Sequence, residues 1–227
     1  MVIERGLYGQ QRGLGSRPAI FIIDCQYNYI GDDAPITEQQ ATWPAGGGAA
    51  AWKAIRQISD LLVSARAKQI PVLYSRNVQR RTVQFDAFQY KAGWDHRRTL
   101  EGDPGTEIVA AIAPAPNDLV IDKSYASVFW GTPLATYLVM MGIDSVIFAG
   151  VSTSGCVRAS LVDAVMHGYK TAVVSDGTAD RIKASHKVAL LDIWMKYGDV
   201  LTAAEVETYF SGLPASDRPI TSDASSH

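Results

Sequence analysis

Six short apolar runs, separated by longer stretches with helical periodicity, constrain this chain more than any other feature. The runs are AIFIID (Ala19 to Asp24), PVLYSR (Pro71 to Arg76), DLVIDK (Asp118 to Lys123), SVIFAGV, TAVVSD and a short DVLT near the end. Between the first two, GGAAAWKAIRQISDLLVSARAKQ sets Trp52, Ile55, Ile58, Leu62 and Ala65 at helical spacing. GTEIVAAI reads as a short helix, PLATYLVMMG as a helix closed by Gly142, Gly155 to His167 as a helix closed by Gly168, and Lys183 to Tyr197 as another. Strands that alternate with helices build βαβ units, whose strands run parallel and are covered on both faces. The expected fold is a three-layer α/β/α sandwich, Rossmann-like, around a parallel sheet of about six strands. The 227 residues suit one domain over 1–227 with a core of about 17–212. The residues before the core, the tail beyond Gly212, and the loops Gly31 to Gly48 and Asn77 to Pro104 read as its flexible parts.

Charge and composition narrow the function classes. With 47 % hydrophobic and 19 % charged residues the chain is well away from disorder. A net charge of −2 gives no basic footprint for nucleic acid or for an anionic membrane. Every apolar run is shorter than the roughly 18 residues of a membrane span. The opening MVIERGLYGQQRGLG has no apolar signal region, so the expected location is cytoplasmic. Two cysteines, Cys25 and Cys156, are too few for a disulfide framework and are expected as thiols. No internal repeat is visible.

In parallel sheets ligands collect beyond the carboxyl ends of the strands. Asp24 ends the first run, Lys123 ends the third, and Cys156 follows SVIFAG after a short loop. A thiol is a modest nucleophile at neutral pH. A helix N-terminus and a neighbouring ammonium favour its thiolate, and a carboxylate can take its proton and return it to a leaving amine. The amides near Ser152 and Cys156, at the loop-to-helix corner, are placed to receive an oxyanion. Each residue alone also has a plain structural reading. Cysteine commonly packs as a small buried hydrophobe, Lys123 can be a surface lysine, and Asp24 a turn residue after a strand. The joint placement at three strand ends favours chemistry.

Three motifs carry a resemblance: IFIIDCQYNYIGD, IDKSYASVFWGTPL and FAGVSTSGCVRASLVDAVMHGY, extended by TAVVSDGTADR to Arg181. Together they resemble the isochorismatase-like cysteine hydrolases. The third motif with its DR extension is most similar to the branch containing N-carbamoylsarcosine amidases and maleamate amidases. The resemblance implies Cys156 as nucleophile, Asp24 as acid/base and Lys123 as the residue that stabilises the thiolate. It implies a non-proline cis peptide at Val151–Ser152, turning the amides of Ser152 and Cys156 together as an oxyanion hole. It implies Arg181 as the partner of a substrate carboxylate, against the alternative of an arginine paired with Asp180 or Asp176. The implied activity is hydrolysis of a C–N bond in a small amide or carbamoyl compound. Biuret- or triuret-like ureas, isochorismatase-type ether hydrolysis and a non-catalytic scaffold remain as alternatives.

Several positions depart from the family pattern. Cys25 stands where the family often has Met and reads as core packing. Asn28 replaces the family's second Asp. His96 is alone in the region where the nicotinamidase branch carries paired histidines, so no metal and no cofactor are expected. Tyr29 and Trp130 are the candidate pocket walls. Family members are commonly dimers or tetramers, which implies a homo-oligomer, with PLATYLVMMG as either an interface or a helix packed on the sheet.

Overall fold

The computed structural model describes residues 9–80 and 97–214. In chain order they form β1 (Pro18–Ile23), α1 (Tyr27–Ile30), α2 (Ile36–Gln39), α3 (Gly48–Ala67), β2 (Val72–Asn77), β3 (Leu119–Lys123), α4 (Leu134–Met140), β4 (Ser145–Val151), α5 (Arg158–Met166), β5 (Lys170–Ala179), α6 (Lys183–Lys196), β6 (Asp199–Leu201) and α7 (Ala203–Gly212). The strands form one parallel sheet in the order β3-β2-β1-β4-β5-β6. Every residue of β1 and of β4 is buried, as central strands covered on both faces require. Alternation along β1 sends Ile20 and Ile22 to one face, with Ile55, Ile58 and Leu62 of α3 and Val206 and Phe210 of α7. Ala19, Phe21 and Ile23 face the other way, with Leu138 of α4, Leu161 of α5 and Ile193 of α6. This is the three-layer sandwich expected from the alternating pattern.

The order of the strands positions the site. From β1 the chain winds outward through β2 to β3, then returns to the other side of β1 with β4 and winds outward again to β6. The reversal between β1 and β4 is a topological switch point, where the two connections leave in opposite directions and open a crevice at the carboxyl edge.

The structure corrects the sequence-based expectation in three places. GTEIVAAI is not one helix but two 3-10 turns, Pro104–Thr106 and Ala110–Ile112. Its backbone is spent on the β1–α1 connection instead: Glu107 O accepts from Tyr27 N, and Val109 N donates to Cys25 O. The chain beyond DVLT forms α7, announced by a capping box in which Thr202 and Glu205 exchange bonds with each other's backbone amides. The segment ahead of β1 is tied down from Arg12 onward. Asp199 accepts from the amides of Arg12 and Gly13, and Asp144 from those of Ser16 and Arg17. No helix among the described residues is long and apolar enough to cross a membrane.

Candidate active site

The sheet order sets Lys123, Ser75, Asp24 and Cys156 in a row, from the ends of β3, β2 and β1 to the loop after β4. Asp24 leaves β1 at φ 49°, in the left-handed region that Asp tolerates better than most residues, and is fully buried. Its Oδ2 accepts from Lys123 Nζ at 2.7 Å and its Oδ1 from Ser75 Oγ at 2.6 Å. Lys123 Nζ also donates to the Tyr125 carbonyl at 3.0 Å. Both charges are out of water, so each depends on the other: removing one partner of such a pair costs about 3–5 kcal/mol. Sequence reasoning missed Ser75. Its only signal was a hydroxyl inside the otherwise apolar VLYSR, one strand away from Asp24.

The Cys156 thiol lies within electrostatic reach of both charges. Burial pushes it up, to about 12; the Lys123 ammonium pulls it down, and the Asp24 charge raises it again. For Lys123, burial works against the ammonium, but Asp24 and then Cys156 outweigh it and hold the group above its ordinary value. At rest the thiol is therefore protonated. Lys123 acts in the expected direction, but burial prevails over it. The helix N-terminus is also further off than the sequence suggests. Cys156 lies inside a π turn, Thr153–Val157, ahead of α5, and Gly155 breaks helical geometry there with φ −104° and ψ −109°. Cys25, by contrast, is buried among the α3-side core residues and donates to Ile23 O, as its place one residue after Asp24 implies.

The loop before Cys156 is fixed from several sides. The Val151–Ser152 peptide is cis, where the resemblance placed it. Gly150 has φ 110°, and a Cβ there would come within 2.7 Å of Ile23 N and closer still to Ile23 O. A Cβ on Gly155 would stand 2.6 Å from Ser152 Oγ, so the turn admits only glycine without adjustment. Asp180 Oδ2 accepts from Ser154 N at 2.9 Å and from Ser154 Oγ at 2.6 Å. Thr153 Oγ1, fully buried, hydrogen-bonds His186 Nδ1 at 2.8 Å, and burial lowers the His186 pKa. Neither anchor was anticipated, because each partner lies about thirty residues further along, beyond β5.

The remaining candidates separate. Tyr29, on α1, stands near Cys156 and Asp24: burial first, then these two neighbours, hold its phenol well above the usual range. Arg181 pairs with neither Asp180 nor Asp176; its Nη1 donates to the carbonyls of Pro44 at 2.7 Å and Gly46 at 3.0 Å. Trp130 is 68 % exposed and lines an open cavity of about 500 Å³ with Tyr125, Ser127, Arg158, Val162 and Tyr197. Asp24, Lys123 and Cys156 do not line that cavity. The chain after Lys123 turns so that Phe129 stacks on His167 while Trp130 points outward. Asn28 is fully buried, and neither Oδ1 nor Nδ2 has a hydrogen-bond partner. His96 lies outside the described residues. Among the described residues, no group of three His, Cys, Asp or Glu side chains is arranged to hold a metal ion.

Comparison with known proteins identifies the family. The isochorismatase domain family matches residues 18–205. The chain belongs to the isochorismatase family. It is 36 % identical over 200 residues to a maleamate amidohydrolase of Pseudomonas putida, covering 87 % of this chain and 89 % of that one. It is 30 % identical over 215 residues to an N-carbamoylsarcosine amidase of Arthrobacter sp., covering 93 % and 77 %. A cysteine hydrolase from Pseudomonas syringae pv. phaseolicola shares the fold with a TM-score of 0.74 at 24 % identity, over 92 % of this chain and 99 % of that one. The chain is a hydrolase of this family.

Proposed function

We propose that the chain is a cysteine-dependent amidohydrolase that releases ammonia from a small amide or carbamoyl compound bearing a carboxylate. The reading is carried by the buried 2.7 Å pair of Asp24 and Lys123 beside Cys156. Asp24 takes the thiol proton as Cys156 Sγ bonds to the substrate carbonyl carbon. The carbonyl electron pair moves onto oxygen, which rests on the amides of Ser152 and Cys156. The carbonyl re-forms, the C–N bond breaks, and the nitrogen leaves as ammonia with the proton from Asp24. Water then gives a proton to Asp24 and attacks the thioester or thiocarbamate carbon. The C–S bond breaks, and Asp24 returns the proton to sulfur. Lys123 holds Asp24 in place and lowers the cost of negative charge on sulfur as the proton leaves. Tyr29 forms one wall of the pocket, and the free edge of the Arg181 guanidinium receives the substrate carboxylate as a planar fork.

The relatives' names put maleamate, N-carbamoylsarcosine and other ureido acids on the panel, with biuret added for the urea alternative, all assayed by ammonia release. Turnover of at least one is expected, and Cys156→Ala abolishes it; near-parental activity in that variant overturns the reading. Self-association as a dimer or tetramer belongs to the same proposal, with Val139 and Met140 of α4, 72 % and 79 % exposed, at the interface. Light scattering of the intact chain tests it, and a monomer at assay concentration removes it.

A further inference from the structure

Asp180 and Arg181 are adjacent in sequence but bond two different segments of the chain. Asp180 holds Ser154, two residues before the nucleophile, through two hydrogen bonds. Arg181 reaches the other way, its Nη1 shared between the carbonyls of Pro44 and Gly46. The next amide, Gly47 N, donates to the carbonyl of Tyr29 at 2.8 Å. The same segment is held at Trp43, which stacks on Tyr27 at 6.0 Å and lies under the Arg98 guanidinium at 5.2 Å. Arg98 Nε in turn donates to Thr42 O at 3.1 Å. An unbroken series of contacts thus runs from Arg181 through residues 44–47 to the backbone of Tyr29.

We propose that Arg181 is a positioning residue: it braces the 44–47 turn and thereby sets the Tyr29 wall against the nucleophile loop, which its neighbour Asp180 fixes on the other side. This rests on the amidohydrolase reading and adds to it. A guanidinium that only bound the substrate carboxylate would need no carbonyl partners, yet Nη1 has two. The role predicts that Arg181 matters for neutral substrates, which have no carboxylate to offer it.

The test compares maleamate with its neutral diamide, maleamide, in the parent, Arg181→Ala and Arg181→Lys. Misplacing a wall next to the reacting atoms costs about 10- to 100-fold in turnover. Arg181→Ala is expected to lose about that much kcat/KM on maleamide and at least as much on maleamate. A lysine ammonium can reach backbone carbonyls but offers no planar fork, so Arg181→Lys recovers more of the maleamide activity than of the maleamate activity. Iodoacetamide alkylation of Cys156 gives a readout independent of turnover and is expected to be faster in Arg181→Ala, because the wall facing the thiol is released. A loss confined to maleamate, or parental alkylation in Arg181→Ala, overturns the proposal. If the parent hydrolyses neither amide, the amidohydrolase reading loses this substrate class and the alkylation comparison alone decides the positioning role.

Discussion

Ser75→Ala removes one hydroxyl from the site and with it two bonds to Asp24, one donated to the carboxylate and one, at 3.2 Å, accepted from the Asp24 amide. Ser75 and Asp24 are both fully buried, and the Ser75 hydroxyl donates to Asp24 Oδ1 at 2.6 Å. Hydrogen bonds to a charged group contribute about 1.5–3 kcal/mol, and both side chains are out of contact with solvent. The Asp24 amide keeps its bond to Ser75 O at 3.1 Å, so the backbone of the strand end stays in place. For a chain of this size each kcal/mol moves the midpoint by about 2–4 °C, so the variant should melt about 3–12 °C lower. Turnover should fall by about 10- to 100-fold, because the carboxylate proposed to take the thiol proton loses its Ser75 donor and keeps only Lys123 as a charged partner. The loss belongs to the charge on Asp24, so Ser75→Ala should cost about 1–2 kcal/mol less in an Asp24→Asn background. Circular-dichroism melts of the four proteins, with ammonia release from Ser75→Ala, decide it. Parental melting of Ser75→Ala, or an equal loss in both backgrounds, refutes the argument.

Two further predictions follow from buried groups. With the thiol at about 12, the thiolate fraction of Cys156 rises about tenfold per pH unit through neutral and mildly alkaline pH. Iodoacetamide alkylation should rise in step, without a plateau below about pH 11, and Lys123→Met should slow it at every pH; a plateau near pH 8 would falsify the assignment of a protonated resting thiol. Asn28→Leu removes two unpartnered polar atoms from a fully buried position at similar volume. The variant should keep or gain up to about 2 kcal/mol of stability in denaturant titration, whereas a clear loss means that the amide is hydrogen-bonded in solution.

The fold was legible because the strands of the sheet are short apolar runs and α3 carries one apolar stripe, patterns set by local periodicity. Asp24, Lys123 and Cys156 could be read because the ends of parallel strands are where such sheets gather ligands. What escaped was non-local. Ser75 looks like any strand serine until the order β3-β2-β1 sets it between Lys123 and Asp24. Asp180 looked like a partner for Arg181, its sequence neighbour, but β5 carries it to Ser154. GTEIVAAI has helical spacing over eight residues, too few to outweigh the backbone bonds it makes to Cys25 and Tyr27. Trp130 was placed with the catalytic groups by sequence proximity to Lys123, and a turn of a few residues separates them.

A protonated resting thiol also follows from counting charges: Cys156 is half-buried beside the fully buried Asp24–Lys123 pair. The Asp24–Lys123 pair sums to zero, whereas a resting thiolate would leave one uncompensated negative charge among buried groups, at several kcal/mol. Holding the proton on sulfur avoids that cost until a carbonyl arrives. In the proposed reaction the proton then moves to Asp24 while negative charge passes through sulfur to the substrate oxygen, where backbone amides can receive it. The charge balance therefore changes only along the reaction, not at rest. On that proposal Lys123 works in this interval, as a group whose contribution is larger in the transition state than in the ground state, the condition for raising kcat rather than merely tightening binding. Burial that makes the cysteine a poor nucleophile at rest and the cation that makes it a good one during attack are two parts of one arrangement, and neither is sufficient without the other.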